Sequence, residues 1–174
     1  MTTIRTTLVL LILTCGVYPF LVWGIGQVAF RDEANGSLVV RHGRVIGSTL
    51  IAQPFTSARY FHPRPSAVDF NAQASGGSNL GPTSKKLRNR IENASGPVDA
   101  YTTSASGLDP HISPANAQSQ IARVARTRGV DPTRVRSLVE QHVEGRFLGI
   151  YGEPRVNVLV LNLALDEELQ TRSR

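Results

Sequence analysis

The 174-residue sequence contains one cysteine, Cys15. A single thiol cannot form an internal disulfide, and the chain has no paired cysteines with the spacing of a zinc site. Cys15 lies in the apolar segment described below, so the remainder of the chain has no thiol. A thiol-free domain suits an oxidising compartment but does not require one.

The sequence also lacks the patterns that carry hydrolytic or metal chemistry. Its four histidines lie in separate segments and form no HxH or HExxH pair, and no G-x-S-x-G elbow is present. The stretches "ASGGSNLGP" and "SASGLDPH" are rich in glycine, yet neither is followed by the lysine and hydroxyl of a phosphate loop. Metal or hydrolase chemistry is therefore disfavoured. A membrane-anchored binding protein or enzyme that acts on a phosphate or nucleotide ligand through the glycine-rich loops remains the alternative.

Charge is absent from residues 6–30, a run of 25 positions bounded by Arg5 and Arg31. A helix of this length covers roughly 37 Å, more than the ~30 Å hydrocarbon core of a bilayer. The pattern predicts a short flank at 1–5, a transmembrane helix at 6–30 and a soluble domain at 31–174. Pro19 is expected to kink the helix, which membrane helices tolerate.

A cleaved signal peptide is the competing interpretation of this run. The run is longer than the usual apolar region of ~7–15 residues in a signal peptide. Its end offers only poor small-residue cleavage sites, at "GIG" and Ala29. A retained anchor is therefore favoured.

Charge counting does not decide the orientation of the anchor. Arg5 and the terminal amine lie on one side, and Arg31, Arg41 and Arg44 lie on the other. The positive-inside rule then favours a cytoplasmic domain, but this rule weakens when a large domain is translocated. The residues alone do not decide on which side of the membrane the domain lies.

The net charge of +6 and the isoelectric point near 10.2 arise from scattered arginines. This surface suits an anionic partner such as lipid headgroups. No basic patch is interleaved with aromatic residues in a nucleic-acid-binding pattern, so nucleic acid is excluded as a partner.

The soluble part predicts an α+β domain with a small sheet and about three helices. Strands at 38–40 and 45–46, with the second able to continue to 51, flank a turn at His42-Gly43. A long loop covers 60–84. Further predicted elements are a helix from Pro82 or Thr83 to Gly96, a short strand in "VDAYTTSASG", helices from Pro114 to Gly129 and from Pro132 to Gly145, and a strand at 156–163 that is apolar on both faces.

Two stretches hold the candidate contact residues. The stretch "YFHPRPS" contains Tyr60, Phe61 and Arg64. Either these residues dock a partner, or the two aromatic rings fill the core. In "GLDPHISPANAQSQ", Asp109 and His111 are interpreted as a bend that leads into a helix capped by Ser113. Whether this bend faces a partner or only its own core is open.

Seven strings together resemble one family. They are "GVYPFLVWGIGQVAF", "ANGSLV", "GSTLIAQPF", "YFHPRPSA", "ASGGSNLGP", "SASGLDPHISPANAQSQIARVARTRG" and "PRVNVLVLNLALD". In this order, over nearly the whole chain, they resemble the C subunit of the Kdp-type potassium-transporting P-type ATPase of bacteria.

The resemblance implies a non-enzymatic accessory subunit in the cell (inner) membrane, with a cytoplasmic N-terminus, one membrane helix and an extracytoplasmic domain. Its implied partners are a potassium-channel-like subunit, a P-type ATP-hydrolysing subunit and a small single-helix subunit. The family is described as a catalytic chaperone that raises the ATP affinity of the hydrolysing subunit. The chain would have no cofactor of its own, and Gln120 would contact the ATP shared with that subunit.

If the domain is external, ATP lies on the opposite side of the membrane. The rival role is then to brace the potassium pore or to cover its entrance. A basic domain does not concentrate potassium, so bracing is the better physical interpretation.

Overall fold

The computed structural model describes residues 1–94 and 96–170. The chain divides into two compact units, one comprising residues 1–48 and the other beginning at residue 49.

A long apolar helix dominates the first unit. It runs over Thr2–Ala29 with a mean hydropathy of 2.3 in its most apolar window, and none of that window is buried within the protein. Its parts are α1 (Thr2–Ile12), a π-helical turn (Leu13–Val17) and α2 (Tyr18–Ala29). Pro19 has no backbone N–H to donate to a carbonyl of the preceding turn. The π-helical turn, which is wider than an α-helical turn, lies just before it. The length and composition are those of a membrane-spanning helix.

A short helix and the expected hairpin complete this unit. α3 (Arg31–Ala34) precedes β1 (Leu38–Arg41) and β2 (Arg44–Ser48), which pair antiparallel. His42 and Gly43 connect the strands with positive φ of 51° and 73°, as in the primed turns that match the twist of a hairpin. The hairpin prediction is confirmed, although β2 does not reach residue 51.

The second unit contains a three-stranded antiparallel sheet in the order β3-β5-β4. Its strands are β3 (His111–Ile112), β4 (Val143–Glu144) and β5 (Arg155–Asn157). Ile112 pairs with Val156 on one side of β5, and Val143 pairs with Val156 on the other.

Two capped helices, α6 (Pro114–Arg128) and α7 (Pro132–Gln141), follow the pattern in the sequence. The Ser113 hydroxyl accepts from an amide of the first turn of α6, and Asp131 does the same for α7. Gly129 ends α6 with φ of 68°. These predictions are confirmed, but α7 ends before Gly145 because residues 143–144 join the sheet.

The predicted terminal strand at 156–163 is wrong. Only β5 is extended, and the chain continues as helix α8 (Val158–Gln170). Alternating valine and leucine suggested a strand, but the fully buried positions recur with the period of a helix: Val158, Leu161, Asn162 and Leu165. A helix buried on much of its surface is apolar nearly all round, so alternation cannot identify it.

Two short helices lie earlier in this unit. α4 (Lys85–Glu92) begins after its N-cap Ser84, slightly later than expected. The predicted strand in "VDAYTTSASG" is wrong, because α5 (Val98–Tyr101) occupies its start.

The core lies between the sheet and helices α6, α7 and α8. Its fully enclosed residues come from five elements and from the loop that contains Phe61, which is 0% exposed. The α+β class is confirmed, since an N-terminal apolar helix precedes small sheets and several helices.

Candidate functional site

Two side-chain amides hold the backbone of Phe61 and His62. From α8, Asn162 accepts the Phe61 N–H at 2.8 Å through Oδ1 and donates to the Phe61 carbonyl at 2.9 Å through Nδ2. From α6, Gln120 accepts the His62 N–H at 2.8 Å and donates to its carbonyl at 3.1 Å. Consecutive residues of one loop are thus clamped by two helices.

Every hydrogen-bonding position of the Gln120 amide is occupied by the chain itself. Besides its two bonds to His62, Nε2 donates to Asn116 Oδ1 at 2.9 Å, and Oε1 accepts from the Arg123 guanidinium at 2.6 Å. A primary amide has two N–H donors and two acceptor lone pairs. Gln120 therefore has none left for a ligand in this conformation.

Two arginines of α6 form hydrogen bonds with the backbone of the residues just before Phe61. Arg123 donates to the carbonyls of Ala58 and Tyr60 at 2.7 and 3.0 Å, and Arg128 donates to the carbonyl of Arg59 at 2.7 Å. We call residues 58–62 the clamped segment. Side chains of α6 and α8 donate to all five carbonyls of this segment and accept the N–H groups of Phe61 and His62.

Tyr60 is anchored by an ion pair between α6 and α8. Its hydroxyl donates to Asp166 at 3.0 Å, and the Arg128 guanidinium lies 2.9 Å from that carboxylate and 5.0 Å from the centre of the Tyr60 ring. Burial and the hydrogen bond to Asp166 raise the pKa of Tyr60. With side chains only 3% and 14% exposed, Arg128 and Asp166 form a shielded pair.

The candidate contact residues fall into two environments. Phe61 fills the core and Tyr60 packs over the α6–α8 ion pair. Arg64, Asp109 and His111 instead line one open cavity of about 490 Å³. Its other lining residues are Val98, Asp99, Thr102, Ile112, Ser113, Glu153, Pro154 and Arg155. Within residues 1–94 and 96–170, no group of three or more His, Cys, Asp or Glu is arranged to hold a metal ion.

Arg64 is weakly satisfied in this cavity. Its terminal nitrogens lie 3.5 Å from Asp109, 3.4 Å from the Thr102 hydroxyl and 3.3 Å from the Thr103 carbonyl. All three distances are longer than a strong charge-assisted hydrogen bond. Its Nε is buried and has no hydrogen-bond partner among the described residues. Because the contacts of its terminal nitrogens are long and the side chain is 26% exposed, the guanidinium can still donate to an acidic group that enters the cavity.

Asp109 and His111 form the predicted bend. Asp109 accepts the backbone N–H of His111 at 3.0 Å, and the His111 ring lies 3.5 Å from the same carboxylate oxygen. Burial raises the pKa of Asp109, but hydrogen bonds from His111 and the charge of Arg64 outweigh burial, so the pKa is lowered. This carboxylate is ionised at neutral pH and holds the turn that leads into β3.

Asp99 connects α5 to the start of α6. It accepts from the backbone N–H and hydroxyl of Ser113 at 2.8 and 2.9 Å, and from Asn116 Nδ2 at 3.0 Å. Burial alone would raise the pKa of Asp99, but these hydrogen bonds lower it below the ordinary value. Since Ser113 is the helix cap, Asp99 fixes the entrance of the helix that carries Gln120.

The two glycine-rich loops pack against each other. The Gly76 N–H donates to the Ser106 carbonyl at 2.9 Å. A Cβ at Gly107 would lie 2.8 Å from the Gly76 carbonyl oxygen, and one at Gly77 would lie 2.9 Å from the Ala105 carbonyl oxygen. Close approach of two backbones thus explains these glycines, and the Gly76 amide is used inside the protein.

Sequence reasoning did not find the polar residues that clamp the loop or that support the clamping side chains. They are Asp99, Asn116, Arg123, Arg128, Asn162 and Asp166. One signal was visible, because Asn162 is a lone amide in the apolar run "VLVLNLAL". A buried amide in such a run needs a partner, which marks it as a residue with a specific contact.

Comparison with known proteins identifies the family. The family model described as "KdpC: K+-transporting ATPase, c chain" matches residues 1–167. The chain is 52% identical to a "Potassium-transporting ATPase KdpC subunit" of Koribacter versatilis, with 95% of this chain and 92% of that relative covered. It is 57% identical to the protein of the same name in Gloeobacter violaceus, with 87% of each covered. For the Myxococcus xanthus protein the identity is 56%, with 95% of this chain and 86% of that relative covered.

The match extends over the apolar helix, the clamped segment and the helices that hold it, so it includes every residue of the geometry described above. The resemblance inferred from the seven strings is therefore confirmed. The chain belongs to the KdpC family, the C chain of the K+-transporting ATPase.

Proposed function

We propose that this chain is an accessory subunit that supports assembly of an ATP-driven potassium importer and does no bond chemistry itself. Its relatives carry the name of a potassium-transporting ATPase subunit. The partners in this proposal are a potassium-channel-like subunit, an ATP-hydrolysing P-type subunit and a small single-helix subunit, all in the cell (inner) membrane.

The occupied amide of Gln120 is the observation that carries this proposal. To bind ATP, Gln120 would have to release His62, Asn116 or Arg123, each of which it holds at 2.6–3.1 Å. Such a release leaves half-buried polar groups without partners, at a cost of about 1–3 kcal/mol each. Gln120 is better suited to brace the clamped segment than to contact a nucleotide. A chaperone-like effect on ATP affinity would then be indirect, through the assembled complex.

Replacing Gln120 by leucine tests this role. We expect the substitution to lower the free energy of unfolding of the full chain by about 2 kcal/mol, because the backbone of His62 loses both partners. In the assembled complex, we expect the Michaelis constant for ATP to stay within about twofold of the parent value, since no nucleotide contact is lost. Denaturation in detergent and steady-state ATPase kinetics measure the two quantities.

Two further variants make this test specific. Gln118→Leu, on an exposed position of the same helix, should change neither quantity. Asn162→Leu breaks the neighbouring clamp, so it should also lower the free energy of unfolding and leave the Michaelis constant for ATP unchanged. A raised Michaelis constant for ATP in Gln120→Leu complexes that retain the chain at full stoichiometry, with Asn162→Leu complexes unaffected, would overturn the proposal.

The proposed orientation places residues 31–174 outside the cytoplasm. The soluble unit has no thiol, since Cys15 lies in the apolar helix, and a domain of this size escapes the positive-inside rule. ATP would then lie across the membrane from the domain. This separation agrees with a bracing role and with a Gln120 amide that is already occupied.

Fusion of alkaline phosphatase, which is active only outside the cytoplasm, to the C-terminus tests the orientation. We expect an active fusion, because the enzyme needs disulfides that form in an oxidising compartment. A matched fusion to a reporter that is active only in the cytoplasm should be inactive. The reverse pair of results would put the domain on the ATP side and reopen a direct nucleotide contact.

A further inference from the structure

An exposed apolar loop connects β4 to β5. We call residues 146–152 the tip loop. Four of its side chains are large and apolar yet mostly exposed: Phe147 72%, Leu148 75%, Ile150 72% and Tyr151 66%. Elsewhere in the described residues from 49 onward, the exposed large hydrophobic residues occur singly along the sequence: Leu50, Ile91, Val98 and Val160. Isolated residues of this kind are ordinary, whereas a cluster of this size indicates a binding surface.

Backbone hydrogen bonds shape the tip loop. Phe147 and Tyr151 pair through two bonds of 2.9 and 3.0 Å, and the Ile150 N–H donates to the Phe147 carbonyl at 3.1 Å. Leu148 and Gly149 sit between them with positive φ of 52° and 75°, as in a type I′ turn. The loop therefore presents its apolar side chains from a defined turn.

Leu148 is a poor residue for this turn. The first central position of a type I′ turn favours asparagine, aspartate or glycine, because bulky side chains are disfavoured at positive φ. Leu148 is also three-quarters exposed, so it gains little from packing within the chain. Folding alone gives no reason for a leucine here, whereas binding does.

We propose that the tip loop inserts into an apolar groove on another subunit of the same ATPase. This inference rests on the chain being a subunit of that complex. Phe147, Tyr151 and Arg146 are of the residue types enriched in the buried centre of protein interfaces. The groove that fits them is lined by apolar side chains and has a carboxylate at its rim for Arg146.

The charges around the tip loop favour a protein partner over a bilayer. Arg146 is the only basic residue of the loop, and the loop is followed by Glu153. The Arg155–Glu144 ion pair at its base, at 2.9 Å, adds no net charge. Anionic lipid surfaces are recognised by clusters of about four to eight lysines and arginines. This surface is close to neutral and lacks such a cluster.

A polar surface continues directly from the tip loop. Glu153, Pro154 and Arg155 line the cavity in which Arg64 is weakly satisfied. Protein interfaces usually have an apolar centre and a polar rim, and arginine is enriched in them. The partner that receives the tip loop would also bring an acidic group to Arg64.

A photo-crosslinking residue in place of Leu148 identifies what covers the loop. The full chain is expressed with the other subunits of its complex, illuminated in the membrane, and the crosslinked product is identified by mass spectrometry. We expect a crosslink to another subunit of the ATPase. Crosslinks only to lipid or to a second copy of this chain, or no crosslink at all in the intact complex, would overturn the proposal.

Leu148→Asn separates binding from folding. Asparagine suits positive φ, so we expect the variant chain to be at least as stable as the parent. Its retention in the purified complex should nevertheless fall by about tenfold, the effect expected of an interface anchor. Ile91→Gln replaces an apolar residue that is 48% exposed on α4 and should leave retention unchanged.

Removal of the whole chain distinguishes this inference from the function it rests on. If removal leaves potassium-dependent ATPase activity intact, the accessory role itself fails. If removal abolishes activity while Leu148→Asn complexes keep the chain at parental stoichiometry, only the docking role of the tip loop fails.

Discussion

Replacing Asn162 by leucine is expected to lower the free energy of unfolding by about 3 kcal/mol or more, because two buried backbone groups lose their only described partners at ~1–3 kcal/mol each. Asn162 is 2% exposed and lies beside Phe61, which is 0% exposed. Its amide bonds both the N–H and the carbonyl of Phe61 at 2.8 and 2.9 Å. Leucine has nearly the same shape but neither donates nor accepts.

The effect of Asn162→Leu should be largest at the clamp itself. Hydrogen exchange of the Phe61 amide should accelerate, in addition to the shift in denaturation of the full chain in detergent. Trp23, the sole tryptophan, lies in the apolar helix. Circular dichroism is therefore a better probe of the domain than tryptophan fluorescence.

Asn89→Leu provides a matched control for this prediction. Asn89 is exposed on α4, and exposed substitutions usually change stability by less than about 0.5 kcal/mol. Equal stability of Asn162→Leu and Asn89→Leu would show that the clamp contributes nothing to folding.

Local signals explain which parts of the fold were predictable. The informative signals were the uncharged run over 6–30, the turn at His42-Gly43 and the helix starts at Ser113-Pro114 and Asp131-Pro132. Each of these signals depends on residues that are close together in the sequence. Capping, turn conformation and hydrophobic length depend on neighbours in sequence, so these elements could be inferred without tertiary structure.

The misassigned helix α8 shows where local signals stop. Its sequence alternates as a buried strand does, and only packing against α7 and β5 decides for a helix. The hydrogen bonds of the clamp could not be predicted from the sequence for a related reason. Asn162 and Phe61 are separated by 101 positions, and Gln120 and His62 by 58. Side-chain-to-backbone bonds over such distances leave no periodic trace in the sequence.

The clamp also changes the interpretation of the two stretches that first suggested function. In "YFHPRPS", Phe61 and His62 are held while Arg64 lines an open cavity. In "GLDPHISPANAQSQ", Ser113 caps the helix that carries Gln120, and Asp99 of α5 holds Ser113 in place. Both stretches serve one structural purpose, and their open cavity remains available to a partner.

Phe61→Ala is the second substitution with a large expected effect. Phe61 is the largest fully enclosed side chain of the core. Truncating a buried phenylalanine removes its transfer free energy and leaves a cavity, which typically costs about 3–5 kcal/mol. For a small domain this is a large share of a total stability of about 5–15 kcal/mol. We expect the domain to unfold at a much lower denaturant concentration or to accumulate poorly in the membrane.

Phe147→Ala makes the same chemical change at a side chain that is 72% exposed. It should leave the free energy of unfolding within about 0.5 kcal/mol of the parent value. The two phenylalanines thus separate the two roles of aromatic residues in this chain: Phe61 should control folding, and Phe147 should control retention in the complex. If Phe61→Ala unfolds like the parent while its retention in the complex collapses, Phe61 contacts a partner rather than the core, and the assignment of the clamped segment to structure is wrong.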